Sequence, residues 1–241
     1  MNDKGPHGGF HGGEGKLTLT EQAYRQAKKD MIECRIQPGA TVSAQQLNEK
    51  YKFGLMPIRS ALERLTAERW VEALPQRGYR VAPITVRDVV ELYDLAEEVS
   101  PRLARLSLGK IAGIKDDLLQ LNNKSHPNAP PSNTEEVMDI IRASDEIVWR
   151  IRNASGNRYA SELTQRIFER LDRIVIARMQ ASTVPVDCRR DFAPLIHALD
   201  QNDADGAENA SLTNLRHMRA LILKEILELP EIATSVLYKT S

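Results

Sequence analysis

The sequence has few cysteines, no long apolar run and no charged and apolar leader, and each of these absences argues against a class of protein. Its two cysteines, Cys34 and Cys188, lie far apart in predicted helices. Free thiols in a reducing compartment are therefore expected, rather than a disulfide or a metal-binding pair. No apolar run approaches the roughly 18 residues of a membrane span, and no charged and apolar leader opens the chain. We therefore expect a cytoplasmic protein that neither spans a membrane nor is secreted.

The charge is balanced overall but unevenly distributed along the chain. Lysine plus arginine and aspartate plus glutamate both total 33, so the net charge is zero. Residues 16–83 hold twelve basic and seven acidic side chains, a balance of +5, and the other residues therefore carry −5. A length of 241 residues favours two domains. A basic N-terminal module joined to an acidic remainder is typical of a DNA-binding head on a second domain.

The most regular pattern in the chain lies between residues 43 and 82. Ser43 is the predicted N-cap of a short helix that ends near Tyr51, and Pro57 is placed to open a second helix that runs to about residue 69. Two β-rich pieces, 70–74 and 79–82, follow on either side of a tip that contains Arg77 and Gly78. Helix, turn, helix and hairpin is the layout of a winged helix-turn-helix, whose second helix enters the major groove of DNA.

Helical patterns account for most of the other residues. A capping box at Thr18 predicts a helix that runs to about residue 35. After residue 84, helical periodicity occurs at 86–108, 114–121, 134–153, 160–181, 186–202 and 204–229. The predicted fold is mainly α, with an all-helical antiparallel bundle after the winged head. The predicted boundaries are a disordered tail at 1–15, the winged helix-turn-helix at 16–83, the bundle at 84–230 and a second tail at 231–241.

Several short motifs occur in an order and spacing that match a known family. They are QPG at 37–39, PIRSALERL at 57–65, RGYRV at 77–81, ELYDL at 91–95 and ASGN at 154–157, with Ala198-Leu199, Asp203 and Ala207 near the end. Over about residues 17–229 the chain resembles the GntR family of bacterial transcription regulators, in its FCD-type subfamily with a helical effector-binding domain. The resemblance implies a homodimer that binds double-stranded DNA and a small-molecule effector. Repression is typical of such proteins, but activation stays open.

The head departs from the family pattern where DNA is usually read. The family has Ser-Arg-Thr before the proline of the recognition helix, whereas this chain has Gly54-Leu55-Met56, and a second family arginine is replaced by Gln45. Leucine cannot donate to a guanine edge, while glutamine can read adenine. We expect an altered sequence preference, with contacts to bases or grooves from Gln45, Met56, Arg59, Arg77 and Gly78. Phosphate contacts are expected from Lys28, Lys50, Lys52 and Arg64.

The bundle departs from the pattern of the family members that hold a metal ion. The resemblance places their metal ligands at Ser144, Val148, Phe192 and Asn214, which cannot supply the imidazole and carboxylate donors for zinc, nickel or manganese. No metal ion or other cofactor is therefore expected. A family arginine that often holds an effector carboxylate is replaced by Ala96. The candidate pocket residues are Ser144, Arg152, Asn214 and His217, with Trp149 and Phe192 as walls.

Three functions are compatible with these observations. The leading one is a ligand-responsive regulator of a metabolic operon, bound as a homodimer to a pseudo-palindromic operator. A degenerate winged helix that binds protein is an alternative, because the loss of Ser-Arg-Thr removes a base reader. A helical-bundle enzyme is the third, but the sequence has no Gly-rich phosphate loop, no paired metal histidines and no nucleophile elbow. We therefore expect no enzymatic activity.

Overall fold

The structure, a computed structural model, describes residues 17–181 and 187–228, the last four by their backbone alone. Both predicted tails, 1–15 and 231–241, lie outside the described residues. As predicted, the described chain is mainly α with one small sheet. It divides into two compact units, residues 1–84 and 85–241. None of the described helices is long and apolar enough to cross a membrane.

The first unit combines helices with a small antiparallel sheet. Its elements are α1 (Leu19–Ile32), β1 (Thr41–Val42), α2 (Ala44–Tyr51), α3 (Leu55–Ala67), β2 (Val71–Leu74) and β3 (Gly78–Val81). The strand order is β1-β3-β2, so the predicted hairpin forms the wing. The short strand β1 was not predicted, since two residues are too few to show alternation.

The turn between α2 and α3 is fixed by local hydrogen bonds. Ser43 forms a complete capping box with Gln46 at the start of α2, and Lys52 ends this helix in a left-handed conformation. The Gly54 N–H then donates to Asn48 Oδ1 at 2.8 Å. α3 begins at Leu55, two residues before the predicted start. Proline is still tolerated at position 57, because first-turn N–H groups have no partner within the helix.

The core of the first unit is formed by one face of each helix and the sheet. The apolar stripe predicted for α3 is buried as expected, and it comprises Ile58, Ala61, Leu62 and Leu65. It packs with Tyr24 and Met31 of α1 and with Trp70, which follows α3. Burying one large apolar side chain contributes about 1.5–3 kcal/mol, so this cluster holds α3 in place and leaves its opposite face exposed.

The second unit is all helical in the part of it that the structure describes. Its helices are α4 (Val86–Leu106), α5 (Lys115–Ser125), α6 (Thr134–Ala154), α7 (Arg158–Ala181), α8 (Ala193–Asp200) and α9 (Ala204–Glu228), with a 3₁₀ turn at Ala112–Ile114. α4 packs against α9 and α7, α5 against α6, and α8 against α9.

One predicted helix begins later than the sequence pattern indicates. The pattern predicts a helix over 186–202, but residues 187–192 are not helical and α8 begins at Ala193; Val186 lies outside the described residues. The Arg190 N–H donates to the Ser125 carbonyl at 3.1 Å. The Phe192 N–H donates to Asn122 Oδ1 at 2.6 Å. Since α5 supplies these partners, the segment satisfies its backbone groups without forming a helix.

Candidate DNA interface and ligand cavity

The exposed face of α3 carries the best-placed DNA-binding side chains. Met56 is 69% exposed. Arg59 and Glu63 are also exposed, and positions 56, 59 and 63 fall on one side of the helix. Among the described residues, Arg59 has no ion-pair or hydrogen-bond partner for its guanidinium group. A free arginine beside an apolar side chain on a convex helix face can contact base edges and thymine methyl groups.

Two further predicted contacts lie on and beside α2, which packs against α3. Gln45 is exposed in the first turn of α2, and Lys52 is exposed at its C-terminal end. Lys52 is the left-handed residue of the turn, with φ of 57°. Its ammonium group, like the Arg59 guanidinium, has no partner within the described part of the chain. Lys52 and Arg59 are therefore available to bind another molecule.

The tip of the wing depends on a glycine. Gly78 has φ of 92°, and a Cβ atom at this position would lie 2.6 Å from the Val42 carbonyl oxygen. Both the backbone conformation and the approach of β1 therefore require glycine. This structural role accounts for Gly78, whose predicted DNA contact stays a prediction. Arg77 precedes it with an exposed side chain that has no partner among the described residues.

Three of the predicted phosphate contacts are bound inside the head. Lys28 is buried, and its Nζ lies 3.2 Å from Glu68 Oε2 and 3.0 Å from the Tyr24 hydroxyl. The prediction that Lys28 contacts a phosphate is wrong, because a buried ammonium group cannot reach DNA. Arg64 donates to Glu21 at 2.8 Å and stacks 3.6 Å from the centre of the Tyr24 ring.

Lys50 is the third predicted phosphate contact with a partner inside the head. Its Nζ donates to Asp30 Oδ2 at 2.6 Å. Its side chain is nevertheless about half exposed. The DNA contacts of Lys50 and Arg64 stay predictions, and we expect both to be weaker than that of Lys52.

A small cavity lies inside the second unit. Its volume is about 50 Å³. Its walls come from α4, α6, α7, α8, α9 and the segment before α8, and they are mostly apolar: Leu103, Val148, Phe168, Leu171, Leu195 and Met218. Polar side chains also line the cavity, among them Tyr93, Ser100, Arg152 and Arg190.

Three of these polar side chains have buried atoms without partners. The Tyr93 hydroxyl, Ser100 Oγ and Arg190 Nε form no hydrogen bond with the residues that the structure describes. Burial raises the pKa of Tyr93 to about 12. Arg152 likewise has no hydrogen bond or ion pair from its guanidinium group to the described residues. Burial lowers the pKa of Arg152 to about 10, although nearby carboxylates favour its charged form.

The structure brings together half of the six predicted pocket residues. Arg152, Phe192 and Asn214 line the cavity, while Ser144, Trp149 and His217 do not. The Ser144 hydroxyl is buried, where it shares a hydrogen bond of 2.8 Å with Ser125. His217 is exposed at the surface. Helical spacing alone does not show which polar residue of a helix faces the interior, and the ligand contacts of Ser144, Trp149 and His217 stay predictions.

The sequence analysis missed two polar residues of the cavity, Tyr93 and Arg190. Tyr93 lies within the motif at 91–95 that carried the family resemblance, so it was visible but had no assigned role. Arg190 gave no signal, because its segment was predicted as helix and its position depends on hydrogen bonds to α5. Only the three-dimensional structure places Arg190 in the same cavity lining as Arg152.

The cavity does not suit the metal ion that some family members hold. Three of the four positions that correspond to their ligands, Val148, Phe192 and Asn214, line the cavity. Valine and phenylalanine have no donor atoms, and the side-chain amide of Asn214 donates to the Asp191 carbonyl at 2.9 Å. Two arginine side chains in the same lining would also repel a cation. Among the described residues, no group of three or more His, Cys, Asp and Glu side chains could hold a metal ion.

Comparisons with known proteins agree on the kind of protein. Residues 19–81 match the family model of the bacterial regulatory proteins, gntR family. The HTH-type transcriptional repressor GlaR of Escherichia coli K12 is 32% identical over 187 residues, which cover 73% of this chain and 81% of that protein. The HTH-type transcriptional repressor RspR of the same strain is 20% identical over 200 residues, which cover 83% of this chain and 87% of that protein.

Solved structures support the fold. The structure of E. coli McbR/YncC superposes with a TM-score of 0.75 at 19% identity, over 87% of this chain and 99% of that one. A GntR regulator from Rhodococcus sp. RHA1 gives a TM-score of 0.65 at 19% identity, over 86% and 99% of the two chains. With a matching family model on its head and a repressor that is 32% identical along most of its length, the chain belongs to the GntR family of bacterial transcription regulators and is a DNA-binding regulator, not an enzyme.

Proposed function

We propose that this regulator binds a pseudo-palindromic operator as a homodimer in the cytoplasm and releases or tightens its hold when a small molecule enters the bundle. It would thereby control a metabolic operon. The observation that carries the DNA-reading part of this proposal is the exposed face of α3, with Arg59 free of partners and Met56 beside it. Repression is the expected mode, because GlaR and RspR are named as repressors.

The chemistry of the α3 face predicts which bases the head prefers. Arg59 has the donors for guanine O6 and N7, and Met56 can pack on a thymine methyl group. Glu63 on the same face can accept a hydrogen bond from cytosine N4. Gln45 on α2 suits adenine. Lys52 and Arg77 supply charge for the phosphates and the minor groove, which positions the head without specifying sequence.

The ligand response requires that the effector bind two states of the dimer differently. A ligand shifts an equilibrium only by its difference in affinity for the two states, and a typical coupling of about 1–3 kcal/mol changes operator affinity by about 5- to 150-fold. The buried cavity, with its unpartnered polar groups, supports a ligand site in the second unit. A homodimer would share its two-fold symmetry with a pseudo-palindromic operator.

The first experiment measures fluorescence anisotropy of the full chain on its own upstream intergenic DNA and on a scrambled duplex at the same salt concentration. We expect a preference of at least about a hundredfold, since specific binders exceed non-specific binding by 10³ or more in most cases. Light scattering of the free protein and of the complex should give two chains per operator. Equal weak binding to both duplexes would contradict sequence-specific reading by the α3 face.

Reversing the charge of Arg59 tests the proposed reading surface directly. Arg59→Glu should abolish operator binding, because it removes a base contact and places a carboxylate beside the DNA backbone. The fold should be unaffected, since Arg59 is exposed and has no partner among the described residues. Arg142→Glu, a charge reversal at an exposed arginine of the second unit, is the matched control. Operator affinity that is unchanged in Arg59→Glu would refute the assignment.

A further inference from the structure

Met56 is an apolar side chain on an exposed part of the head. Among the described residues of this unit, the exposed large apolar side chains are Leu17, Leu19 and Met56, and Met56 is the most exposed of them at 69%. A single exposed apolar residue is ordinary on a protein surface. The position of Met56 makes it informative, because it is the second residue of α3 and lies on the same face as Arg59.

The start of α3 has no side chain that can read a base edge by strong hydrogen bonding. The residues at 54–57 are glycine, leucine, methionine and proline. Glycine, leucine and proline have no hydrogen-bonding side-chain atoms, and the methionine sulfur is at most a weak acceptor. In helix-turn-helix proteins the N-terminal residues of the recognition helix contact base edges. The side chains at this end of α3 therefore offer DNA an apolar surface.

The backbone at Met56 is fixed although its side chain is exposed. Before it, Gly54 has φ of 97°, and the Gly54 N–H donates to Asn48 Oδ1 at 2.8 Å. After it, the Ile58 N–H donates to the Gly54 carbonyl at 3.2 Å, and the Ile58 side chain is 1% exposed. The ring of Pro57 fixes one further backbone angle. The head therefore holds the Cα atom of Met56 in place, while the rotatable bonds of its side chain let it fit a neighbouring surface.

The charged groups near Met56 and the family of the chain identify that neighbouring surface as DNA. Arg59 and Lys52 are exposed and have no partner among the described residues, so both cations are available to a duplex. In the major groove, the apolar group on a base edge is the C5-methyl group of thymine. 5-Methylcytosine carries the same methyl group at the same ring position. A C5-methyl group is therefore the apolar partner that DNA can offer to Met56.

We propose that Met56 reads the C5-methyl group of a pyrimidine, so that operator affinity depends on whether this methyl group is present. The proposal rests on the proposed function and adds to it a sensitivity of the operator to base modification. Thymine and 5-methylcytosine would be accepted at this base, whereas uracil and unmodified cytosine would be disfavoured. The side chains at 54–57 do not distinguish O4 of thymine from N4 of 5-methylcytosine. Methylation of a cytosine at this base would therefore strengthen binding.

The spacing of Met56 and Arg59 limits where the methyl group lies in the operator. Residues three apart on a helix have Cβ atoms about 5–6 Å apart. Successive base pairs are about 3.4 Å apart along the duplex. The methyl group and the guanine that Arg59 reads should therefore lie within about three base pairs of each other.

The loss of one methyl group should have an effect of limited size. Burying a methyl group against an apolar side chain raises affinity about threefold to fivefold. The proposed homodimer reads two half-sites, and the effects of well-separated bases on the free energy of binding are roughly additive. Removing the methyl group from both half-sites should therefore weaken binding about ninefold to 25-fold.

The test compares the upstream intergenic duplex with the same duplex in which uracil replaces every thymine, by fluorescence anisotropy of the full chain at one salt concentration. We expect the uracil duplex to bind at least about ninefold more weakly. Replacing single thymines should then locate the methyl group. At that base, 5-methylcytosine should bind about threefold to fivefold more tightly than cytosine. Equal affinity for the thymine and uracil duplexes, or for cytosine and 5-methylcytosine, would overturn the proposal.

Variants of Met56 separate the contact of this side chain from any effect of uracil on the shape of the DNA. Met56→Ala should fold normally, because the side chain is exposed, and should lose most of the preference for thymine over uracil. Met56→Leu keeps an apolar side chain and should retain the preference. Leu19→Ala, at an exposed apolar side chain of α1, is the matched control and should also retain it. A preference that persists unchanged in Met56→Ala would refute the role of Met56.

Binding of the unmodified duplexes distinguishes this proposal from the proposed function. If wild type prefers the intergenic duplex to the scrambled one but does not prefer thymine to uracil, methyl reading is refuted and sequence-specific binding stands. If both preferences are present and Met56→Ala loses only the preference for thymine, both levels are supported. Equal weak binding to the intergenic and scrambled duplexes would refute both.

Discussion

The two units of the molecule differ in how their buried charged groups are paired. In the head, buried Asp30 accepts hydrogen bonds from Lys50 at 2.6 Å, Tyr51 at 2.8 Å and Gln26 at 2.9 Å. Burial alone would raise its pKa, but these hydrogen bonds and the charge of Lys50 outweigh burial and lower it. In the bundle, burial and a second carboxylate raise the pKa of Asp145, and the guanidinium of Arg190 lacks a hydrogen-bonded counter-ion.

The paired groups around Asp30 stabilise the fold of the head, whereas the unpaired groups of the cavity are available to bind a ligand. The network around Asp30 joins α1 to the end of α2, the helix that precedes α3. Buried polar groups are normally paired, and those that are unpaired need a reason. In the bundle the Tyr93 hydroxyl, Ser100 Oγ and Arg190 Nε have no hydrogen-bond partner among the described residues and belong to side chains that line a cavity, where the proposed ligand would supply the missing partners.

Removing the charge of Asp30 should give the largest loss of stability. Asp30→Asn leaves the buried ends of Lys50 and Tyr51 without their acceptor charge, and losing one partner of a buried charged network costs about 3–5 kcal/mol. We discount this to about 2–3 kcal/mol, because Lys50 is half exposed. The measurement is urea unfolding followed by Trp70 fluorescence in a Trp149→Phe background, so that the signal reports the head alone.

The pH dependence of the same variant has a defined sign. The folded pKa of Asp30 lies below its unfolded value, so its contribution is fully present above the ordinary pKa of 3.8 and is lost as the pH falls through the lowered folded value. The difference between wild type and Asp30→Asn should therefore shrink in acid. Glu49→Gln, at an exposed carboxylate of α2 in the head, is the control and should change stability by less than about 0.5 kcal/mol. A head as stable as wild type at pH 7 in Asp30→Asn would contradict the comparison.

Removing the charge of Asp145 should increase stability at neutral pH, whereas removing the charge of Asp30 should decrease it. The folded pKa of Asp145 is raised, so the contribution of this group to stability is fully present below the ordinary value of 3.8 and is lost as the pH rises towards the raised value. Asparagine does not titrate, and its amide can donate to Asp172 as the protonated carboxyl group does. Asp145→Asn should therefore be as stable as wild type in acid and more stable, by about 1 kcal/mol, at pH 8.

Thermal unfolding at pH 5 and pH 8 measures this effect in the bundle, and Asp172→Asn is the contrasting variant. Since Asp172 is the ion-pair partner of Arg190, its neutralisation should destabilise the bundle at both pH values. If Asp145→Asn lowered the melting temperature as much as Asp172→Asn does, Asp145 would be an ordinary paired carboxylate and the contrast with Asp30 would fail.

The sequence was sufficient for features that depend on local pattern. The capping residue Ser43, the apolar stripe of α3 and the hairpin around Gly78 all follow from residue type and spacing, and the structure contains each of them. It was insufficient where distant side chains decide. Arg190 is positioned by Ser125, 65 residues away, and Lys28 is buried by Glu68, 40 residues away. Neither contact leaves a trace in local periodicity, so the sequence analysis missed Arg190 and wrongly assigned Lys28 to DNA.

The smallest expected effect distinguishes two lysines that are neighbours in sequence. Lys52 has no partner in the described part of the head, whereas Lys50 is bound to Asp30. Lys52→Asn should reduce the slope of log affinity against log salt by about one, with a uniform loss of affinity on all DNA sequences. Asparagine is chosen because it tolerates the left-handed conformation of this position.

Lys50→Gln should change the salt slope by less than Lys52→Asn but should lower the stability of the head, because it takes a hydrogen bond and a charge from Asp30. Anisotropy titrations at several salt concentrations give the slopes, and urea unfolding gives the stability. Equal slopes for the two variants would mean that Lys50 leaves Asp30 to bind a phosphate. In that case the network around Asp30 would be opened by DNA, and the head would use its buried charge for binding as the bundle is proposed to do.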